Sequence, residues 1–273
     1  MKPRPFDYAR PDTVEEALAL LAEHGDDARV LAGGQTLIAM LNLRVVEPAL
    51  IIDTTRIAEL AHIQETGGKI EVGAAVTQNR LLAWPALAQK LPLLAAALPF
   101  VGHFQTRNKG TVCGSIAHAD PSSELPLSLA VLEGEVLLRS KRGSRVLAAD
   151  AFQRDMLTTA READELIAAV RFPLHSRRVA FREVARRHGD FAIVAVAALV
   201  EDAGHVRFGV GGMAGKPAVR RVRGDGTAMQ DAIERLAWEL EGYEDLHASA
   251  RMRRDLLRRI GPVAIEEALR CAA

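Results

Sequence analysis

Residues 28–53 read ARVLAGGQTLIAMLNLRVVEPALIID, and their pattern predicts the fold of the N-terminal part of the chain. The apolar segment 28–32 predicts a short buried strand, and the two glycines after it allow a sharp turn of the backbone. Residues 37–43 have the apolar character of a short helix, and residues 49–53 predict a second buried strand. Strand, glycine turn, helix and strand together predict a compact βαβ-like unit.

An amphipathic helix is predicted immediately before this unit. Thr13 and Glu16 have the spacing of a capping box, and apolar residues recur at helical period over 14–21. Gly25 is placed to end the helix as a C-terminal cap. Residues 1–57 are therefore expected to form a small α/β subdomain.

Two further regions follow along the chain. Residues 58–173 mix predicted strands and helices, whereas residues 174–273 begin with strand-like runs and continue with helical periodicity from Ala228. Strands followed by helices predict a separate α+β domain at the C-terminus. The strands predicted in the two regions are 70–76, 135–140, 179–185, 192–200 and 205–210. The helices predicted in the middle region lie around 87–98 and 124–132.

Composition limits the classes of function. The 273 residues are 49% hydrophobic and include 35 basic and 35 acidic residues, so no net charge attracts the chain to nucleic acid or to an anionic membrane. The N-terminus lacks the apolar region of a signal peptide, and the apolar run 191–200 is too short to span a bilayer. Cys113 and Cys271 form no CxxC pair, which argues against a zinc site, an iron-sulfur cluster or a disulfide framework in this chain. We expect a globular protein of the reducing cytoplasm.

Two glycine loops contain the most informative chemistry of the sequence. The first, 32–36, places its glycines directly after a buried strand, and the second, 107–115, combines two cations, two glycines and several hydroxyls. Exposed backbone N–H groups and cations suit a diphosphate, and Arg107 is one of the predicted contacts. Asp120 and Glu124 follow the second loop, where carboxylates can accept hydrogen bonds from ribose or ribityl hydroxyls.

Each of these features also has a plainer interpretation. A glycine pair after a strand is more often an ordinary turn. The alternatives for Asp120 and Glu124 are a catalytic carboxylate pair or loop capping. Neither GxxxxGK[ST] nor GxGxxG is present, so P-loop and Rossmann nucleotide sites lack their sequence patterns. The two loops together favour a dinucleotide site of another architecture.

Three motifs occur in a fixed order along the chain. They are AGGQT at 32–36, TVCGS at 111–115 with ADP at 119–121, and RRHGDFA at 186–192. Their order and spacing resemble the medium, FAD-binding subunit of molybdenum hydroxylases of the xanthine dehydrogenase and carbon monoxide dehydrogenase type, over essentially the whole chain. The resemblance implies an α+β fold: a two-subdomain FAD-binding region of the vanillyl-alcohol oxidase (PCMH) type, followed by a C-terminal domain with a three-stranded antiparallel sheet and helices.

The resemblance also implies an FAD site built from both glycine loops and from weaker matches near the flavin ring. The first loop supplies Val30, Leu31, Ala32, Gly33, Gly34, Gln35, Thr36 and Leu37. The second loop and the segment after it supply Thr111, Val112, Cys113, Gly114, Ser115, Asp120 and Glu124. The weaker matches are Val101, Gly102, Leu166, Ile167, Arg182, Asp190 and Phe191. The aromatic ring of Phe191 would shield one face of the flavin.

One departure from the family pattern lies in the second loop. Relatives commonly have Gly-Gly where this chain has Cys113-Gly114. A side chain at Cys113 restricts positive φ values and so predicts an altered approach to the diphosphate, unless the change is a harmless variant. The thiol also suggests a covalent link to the flavin, although loop cysteines are more often unmodified.

The resemblance implies an oxidoreductase in which this chain transfers electrons. Substrate would be hydroxylated at a molybdenum cofactor on a large subunit, and 2Fe-2S clusters on a small subunit would pass electrons to FAD in this chain. The acceptor would be NAD, oxygen, a quinone or another compound, and a dimer of heterotrimers is expected. Because the flavin carries the chemistry, no catalytic acid, base or nucleophile is expected here. A stand-alone flavin oxidoreductase and a flavin-binding sensor without turnover are the alternatives.

Two other groups of residues receive a plain interpretation. His103 and His118 lack the spacing of metal ligands, so no metal site is expected in this chain. A basic cluster is interleaved with Leu256 and Leu257, which predicts a solvated helix face or, alternatively, a contact with a partner subunit. Its members are Arg251, Arg253, Arg254, Arg258 and Arg259.

Overall fold

The computed structural model describes residues 2–174, 178–201 and 204–270, so Cys271 lies outside the described residues. The described chain is built on three main sheets, which follow one another along the sequence. Short 3-10 segments at Gly25–Asp27, Ala58–Leu60 and Leu98–Phe100 join some of the elements.

The first sheet consists of three parallel strands, β1 (Asp7–Ala9), β2 (Ala28–Leu31) and β3 (Leu50–Asp53). Strand β3 lies between the other two, and the helices are α1 (Val14–His24) and α2 (Leu37–Asn42). The predicted βαβ-like unit is confirmed, because β2 and β3 pair in parallel on either side of α2 in the sequence. Strand β1 was not predicted, since its exposed and half-buried residues show no apolar pattern.

The predicted caps of α1 are also present. The Thr13 hydroxyl accepts a hydrogen bond from the Glu16 backbone N–H at 3.2 Å. The Glu16 carboxylate accepts from the backbone N–H of Asp12, one residue further out than a standard capping box. Gly25 ends the helix with a positive φ of 50°, and its N–H donates to the carbonyl of Leu21. Local sequence therefore sets both ends of this helix.

The second sheet consists of five antiparallel strands, β4 (Ile63–Thr66), β5 (Lys69–Gly73), β6 (Glu135–Ser140), β7 (Gly143–Ala148) and β10 (Leu166–Pro173). Their spatial order is β4-β5-β10-β6-β7, so β10 is the central strand. A buried central strand lacks the alternation of polar and apolar residues, which is why the sequence pattern did not reveal it.

Short helices and one hairpin surround the second sheet. The helices are α3 (Gln78–Leu82), α4 (Leu87–Lys90), α5 (Pro92–Ala97), α6 (Phe104–Lys109), α7 (Val112–His118), α8 (Glu124–Val131) and α9 (Ala149–Phe152). The hairpin consists of β8 (Gln153–Asp155) and β9 (Thr158–Thr159). The helical regions predicted around 87–98 and 124–132 are confirmed, although the first is divided between α4 and α5.

The C-terminal sheet corrects the expectation of three strands. It contains four antiparallel strands, β11 (Val179–Val184), β12 (Val194–Val200), β13 (His205–Gly211) and β14 (Ala218–Arg223), in sequential order. Strand β14 is an edge strand with three arginines, and only Val222 is buried, so its sequence lacks a strand-like apolar pattern. The helices α10 (Gly226–Glu239) and α11 (Ala250–Arg270) follow.

Strand β12 is buried on both faces and joins the two hydrophobic cores. Alternate side chains point to opposite sides of a strand. Val194, Val196 and Ala198 accordingly belong to the core under α10 and α11, whereas Ala195 and Ala197 belong to the core that contains α8.

Helix α8 is apolar all round and packs against the C-terminal sheet, as expected for a fully buried helix. Gly209 of β13 makes room for it, since a Cβ at Gly209 would lie 2.2 Å from the Val131 side chain. The first residue of α8, Glu124, is buried.

Several arginines of α11 have partners within the chain. Arg258 pairs with Glu234 at 2.6 Å and with Asp255 at 3.1 Å. The guanidinium carbons of Arg254 and Arg258 lie 4.7 and 5.2 Å from the centre of the Trp238 ring. These contacts support the interpretation of a solvated face for Arg254 and Arg258, held by ion pairs and cation–π contacts. The interpretation is wrong for Arg253, which is buried because it hydrogen-bonds carbonyls of the core.

We expect Arg258→Glu to lower the unfolding temperature by about 2 °C, because it replaces an ion pair with like charges at the junction of α10 and α11. Thermal unfolding followed by circular dichroism measures the shift. Arg259→Glu is the matched control, because Arg259 is exposed on the same helix. Equal shifts in the two variants would show that the pairs of Arg258 add nothing to stability.

No helix in the described ranges combines the length and the apolar composition that crossing a membrane requires.

Candidate functional site

A cavity of about 690 Å³ lies where the three sequence motifs meet. Its volume falls in the range of small-molecule sites, about 300–1,000 Å³. Most of the predicted site residues line it: Val30, Ala32, Gly33, Gly34, Gln35, Thr36, Leu37, Val101, Gly102, Thr111, Cys113, Gly114, Ser115, Glu124, Leu166, Ile167, Asp190 and Phe191. The fold therefore brings residues from distant parts of the sequence to one wall.

Glycine is required at the two positions of the first loop for different structural reasons. Gly34 has a φ of +69°, a value that favours glycine, and its carbonyl accepts from the Ile38 backbone N–H at 3.1 Å. Gly33 is required by packing, since a Cβ there would lie 2.2 Å from the carbonyl oxygen of Lys109 and 2.5 Å from Cα of Gly110. The two glycine loops are thus in direct backbone contact.

The second loop continues into α7. The Thr111 hydroxyl caps this helix by accepting a hydrogen bond from the Gly114 backbone N–H at 2.9 Å. A Cβ at Gly114 would lie 2.8 Å from the Thr111 hydroxyl oxygen and 3.6 Å from Cβ of Ala32. Gly114 therefore permits the cap and a close approach to the first loop.

The backbone at Cys113 does not need the positive φ value that a side chain would restrict. This residue is the second residue of α7 and does not have a positive φ, so a side chain is tolerated there. Its thiol is buried and donates to the carbonyl of Val72 at 3.6 Å. Burial raises the pKa of the Cys113 thiol to about 12, which keeps it protonated and disfavours a covalent link to a flavin.

Five predicted site residues do not line the cavity: Leu31, Arg107, Val112, Asp120 and Arg182. The Arg107 guanidinium donates to the carbonyls of Val101 and Gly102 at 2.9 and 2.8 Å, so its charge supports the turn before the second loop. Arg182 lies on β11 and pairs with Glu267 of α11 at 2.7 Å, away from the wall. Neither cation reaches the cavity in this arrangement.

Asp120 shapes the turn between α7 and α8. Ala119 ends α7 with a φ of +52°, and the Asp120 carboxylate accepts from the Ser122 backbone N–H at 2.8 Å. The Ser123 N–H donates to the Asp120 carbonyl at 3.0 Å. This turn places Glu124 at the start of α8, on the cavity wall.

Two carboxyl groups near the cavity have raised pKa values. Burial raises the pKa of Glu124 to about 7, with a further contribution from the charge of Asp120, whereas Arg107 opposes the rise. Burial, and then the charge of Glu124, raises the pKa of Glu183 on β11 to about 8. The buried Oε2 atom of Glu183 has no hydrogen-bond partner among the described residues. Both groups are therefore protonated to a substantial extent at neutral pH.

We expect stability to fall as the pH rises from about 5 to about 8. An unfolded glutamate has a pKa of about 4.3, whereas the folded protein keeps Glu124 and Glu183 protonated to higher pH. The stability that is fully present below about pH 4.3 is therefore lost as the pH rises through the folded pKa values. Glu183→Gln should reduce this pH dependence, because it removes one of the two groups. Denaturant midpoints at the two pH values measure this pH dependence. Glu23→Gln, at an exposed position of α1, is the control and should retain the pH dependence of the wild type. A pH dependence that Glu183→Gln leaves unchanged would contradict the assignment.

The third motif reaches the cavity beside the turn at Gly102. Gly189 has a φ of +84°, and a Cβ there would lie 2.7 Å from the His103 ring and 2.9 Å from the carbonyl of Gly102. Asp190 pairs with Arg187 at 3.1 Å, and Phe191 is 64% exposed. An exposed aromatic ring at a cavity edge is available to stack on a planar ligand.

The wall also contains polar residues that the sequence analysis did not select: Asp26, Arg29, Gln78, Thr158, Thr159, Arg161 and Glu165. The Oε1 atom of Gln78 is buried without a hydrogen-bond partner among the described residues. A Cβ at Gly110 would lie 2.9 Å from this atom, so the amide sits directly behind the second loop. None of the three sequence motifs includes these residues. Only Arg29 could have been selected from the sequence, as a cation in the strand before the first loop.

Comparison with known proteins agrees with this geometry. Residues 4–175 match the family described as the FAD binding domain in molybdopterin dehydrogenase. The chain is 41% identical over 203 residues to the caffeine dehydrogenase subunit beta of Pseudomonas sp. (strain CBB1), covering 73% of this chain and 69% of that protein. It is 34% identical over 275 residues to the nicotine 6-hydroxylase medium subunit of Paenarthrobacter nicotinovorans, covering 96% of each chain.

The similarity extends to solved structures. A chain in the carbon monoxide dehydrogenase of Hydrogenophaga pseudoflava superposes with a TM-score of 0.93 at 31% identity, with both chains covered completely. The quinoline 2-oxidoreductase of Pseudomonas putida 86 gives a TM-score of 0.91 at 33% identity over 98% of each chain. These matches confirm the predicted α+β fold and family. The chain belongs to the family of FAD-binding medium subunits of the molybdenum hydroxylases, which are oxidoreductase complexes.

Proposed function

We propose that the cavity holds FAD, with its diphosphate at the two glycine loops. This proposal rests on the direct backbone contact between the two loops at Gly33 and Gly110. Because of this contact, the backbones of both loops line the same cavity. Leu166 and Ile167 supply an apolar part of the same wall, suited to a planar aromatic group. The binding residues proposed are those of the predicted site that line the cavity.

The residues present fit such a cofactor. Gln78 offers a buried amide oxygen without a partner, and an unpaired buried polar atom is costly unless a ligand or water satisfies it. The cavity combines glycine backbone, hydroxyl groups at Thr36 and Ser115, and an exposed aromatic ring at Phe191. Together these groups bind and orient a dinucleotide.

We further propose that the chain is an electron-transfer subunit. A bound flavin supplies two-electron redox chemistry, and the protein supplies position and electrostatics. The electrons would come from 2Fe-2S clusters of a small subunit, fed by a molybdenum cofactor on a large subunit, and would leave to an external acceptor. The relatives support this role, since they include medium subunits of a nicotine hydroxylase and of carbon monoxide dehydrogenases. A dimer of heterotrimers is part of the proposal.

The division of the chain into 1–57, 58–173 and 174–273 is also a proposal. Its support is that each range contains one of the three main sheets. The family match over 4–175 ends close to the second of these boundaries.

The test is the visible absorption spectrum of the chain, purified alone and from its native host with its associated chains. We expect about one FAD per chain, with iron and molybdenum only in the native complex. A chain that stays colourless with added FAD, alone and in the complex, would contradict the proposal. Substrate oxidation by the flavin-loaded chain alone would favour the stand-alone oxidoreductase. Flavin without turnover and without associated chains would favour a sensor.

A further inference from the structure

Two acidic side chains, Glu124 and Glu183, lie in a largely apolar region next to the cavity. Glu124 is 6% exposed, begins α8 and lines the cavity. Glu183 lies on β11 outside the cavity wall, and its buried Oε2 atom has no hydrogen-bond partner among the described residues. Burial of a carboxylate without a partner is unfavourable, which gives the neutral, protonated form an advantage at both positions.

Strand pairing shows which way the Glu183 side chain points. Glu183 is paired with Ala195 of β12, and Ala195 is paired with Gly211 of β13. Paired residues of an antiparallel sheet direct their side chains to the same face. A Cβ at Gly211 would lie 3.0 Å from the carbonyl oxygen of Pro121, in the turn that leads to Glu124. Glu183 therefore lies on the face that meets this turn. Accordingly, the charge of Glu124 is, after burial, the second cause of the raised pKa of Glu183.

The charged groups around Glu124 leave it without an ion pair within the described ranges. The nearby charges that act on it are Asp120, which favours protonation, and Arg107, which opposes it. The Arg107 guanidinium is engaged by carbonyls of the turn before the second loop. His118 lies on the same wall, 4.0 Å from the Asp120 carboxylate. Apart from the protonated thiol of Cys113, the other titratable or charged side chains on elements packed against α8 are Asp150, His205, Arg207, Arg220, Arg221 and Arg223.

The surroundings of Glu183 contain no compensating cation in the part of the chain that the structure describes. Strand β12 and helix α5, which both pack against β11, consist of uncharged residues. Helix α11 packs on the other face of the sheet, where Ala180 belongs to its core. The next residue along β11, Arg182, pairs with Glu267 on that other side. Glu183 and Glu124 are thus each other's nearest acidic neighbours without a neutralising partner.

This arrangement makes the two carboxyls sensitive to charge in the cavity. Burial above all raises the pKa of Glu124 to about 7 and that of Glu183 to about 8, so both groups exchange protons near neutral pH. Interacting groups titrate as a pair, and a proton taken up belongs to the pair. A negative charge in the cavity disfavours the ionised form of Glu124 and thereby favours protonation of the pair.

We propose that Glu124 and Glu183 form one proton-binding site, which takes up a proton from solvent when an anionic ligand fills the cavity. The inference rests on the proposed binding of FAD, whose diphosphate is the anion. The proton joins a carboxylate oxygen, and no bond of the ligand changes. Glu183 acts through Glu124, so it is a positioning residue that does not contact the ligand.

The test is calorimetric titration of the FAD-free full chain with FAD at about pH 7.5, in phosphate and in Tris. These buffers differ in ionisation enthalpy, so the difference in observed heat gives the number of protons taken up. We expect about half a proton per FAD, because this pH lies between the pKa values of the two groups. FAD affinity should then fall about threefold for each unit of rising pH, since linkage ties this slope to the proton uptake.

The variants assign the proton to the pair. Glu183→Gln, which keeps the shape of the side chain, should reduce the uptake at least twofold, and the double variant Glu124→Gln/Glu183→Gln should abolish it. Glu266→Gln, at an exposed position of α11, is the matched control and should keep the wild-type uptake. His118→Gln should also keep it, although His118 lines the cavity. Circular dichroism verifies that each variant is folded.

The other outcomes would overturn the inference. FAD binding with the same heat in both buffers would exclude proton uptake while leaving the proposed function intact. Full uptake in Glu183→Gln would show that Glu124 acts alone, and loss of uptake in His118→Gln would assign the proton to the imidazole. A chain that binds no FAD would contradict the proposed function and, with it, the response to this ligand.

Discussion

Gly33→Ala is expected to yield a folded chain that retains little or no FAD. The added Cβ would lie 2.2 Å from the carbonyl oxygen of Lys109 and 2.5 Å from Cα of Gly110. Both neighbours are backbone, so the clash cannot be relieved by a side-chain rotation, and the two glycine loops must separate. We expect FAD affinity to fall by at least about a hundredfold, because a displacement of about 1 Å disrupts contacts that depend on precise position.

The ratio of flavin absorbance to protein measures this effect. Gly67→Ala is the matched control: Gly67 has a φ of +58° in the turn between β4 and β5, with open space around it. That substitution introduces backbone strain without touching the cavity, so it should lower stability slightly and keep FAD. Unit FAD stoichiometry in Gly33→Ala would refute the proposed role of the loop contact.

Arg253→Met is expected to destabilise the chain by roughly 3 kcal/mol, because it leaves buried acceptors without a donor. Arg253 is 1% exposed, although it lies on α11 among arginines that face solvent. Its guanidinium donates to the carbonyls of Ile193 and Gly212 at 2.5 and 2.7 Å, and to the carboxylate of Asp245 at 2.5 Å. It also lies over the ring of Tyr243, at 4.1 Å from the ring centre.

The contacts of Arg253 reach the carboxylate turn of the site. The Tyr243 hydroxyl lies 3.3 Å from the Ser122 hydroxyl, and the Gly212 N–H donates to the carbonyl of Pro121 at 2.8 Å. We therefore expect Arg253→Met to weaken FAD binding in addition to lowering the denaturant midpoint.

Arg251→Met, on the same helix, is the control for Arg253→Met. The Arg251 side chain is 87% exposed and has only a 3.9 Å contact with Asp255, so its loss should change the midpoint little. Equal midpoints for the two variants would contradict the structural role assigned to Arg253.

About half of the residues that line the cavity were predictable from sequence, because the glycine loops are local features. A glycine pair after a buried strand and a second loop with hydroxyls and glycines are visible within a few residues each. Arg107 shows the limit of such reasoning: its charge suits a diphosphate, yet it is engaged by the carbonyls of Val101 and Gly102. Whether a cation reaches a ligand depends on whether other acceptors lie nearer to it, and the sequence does not show which acceptors are near.

The βαβ-like unit, the caps of α1, the three motifs and the family could all be predicted from the sequence. These features depend on hydrophobic period, on turn chemistry and on short spacings, which are encoded locally. Other features follow from the tertiary structure. It placed β10 at the centre of its sheet, paired β14 at an edge, buried Arg253 and set Arg161 on the cavity wall beside Arg29. Those outcomes depend on contacts between segments far apart in the chain, and no local pattern specifies such contacts.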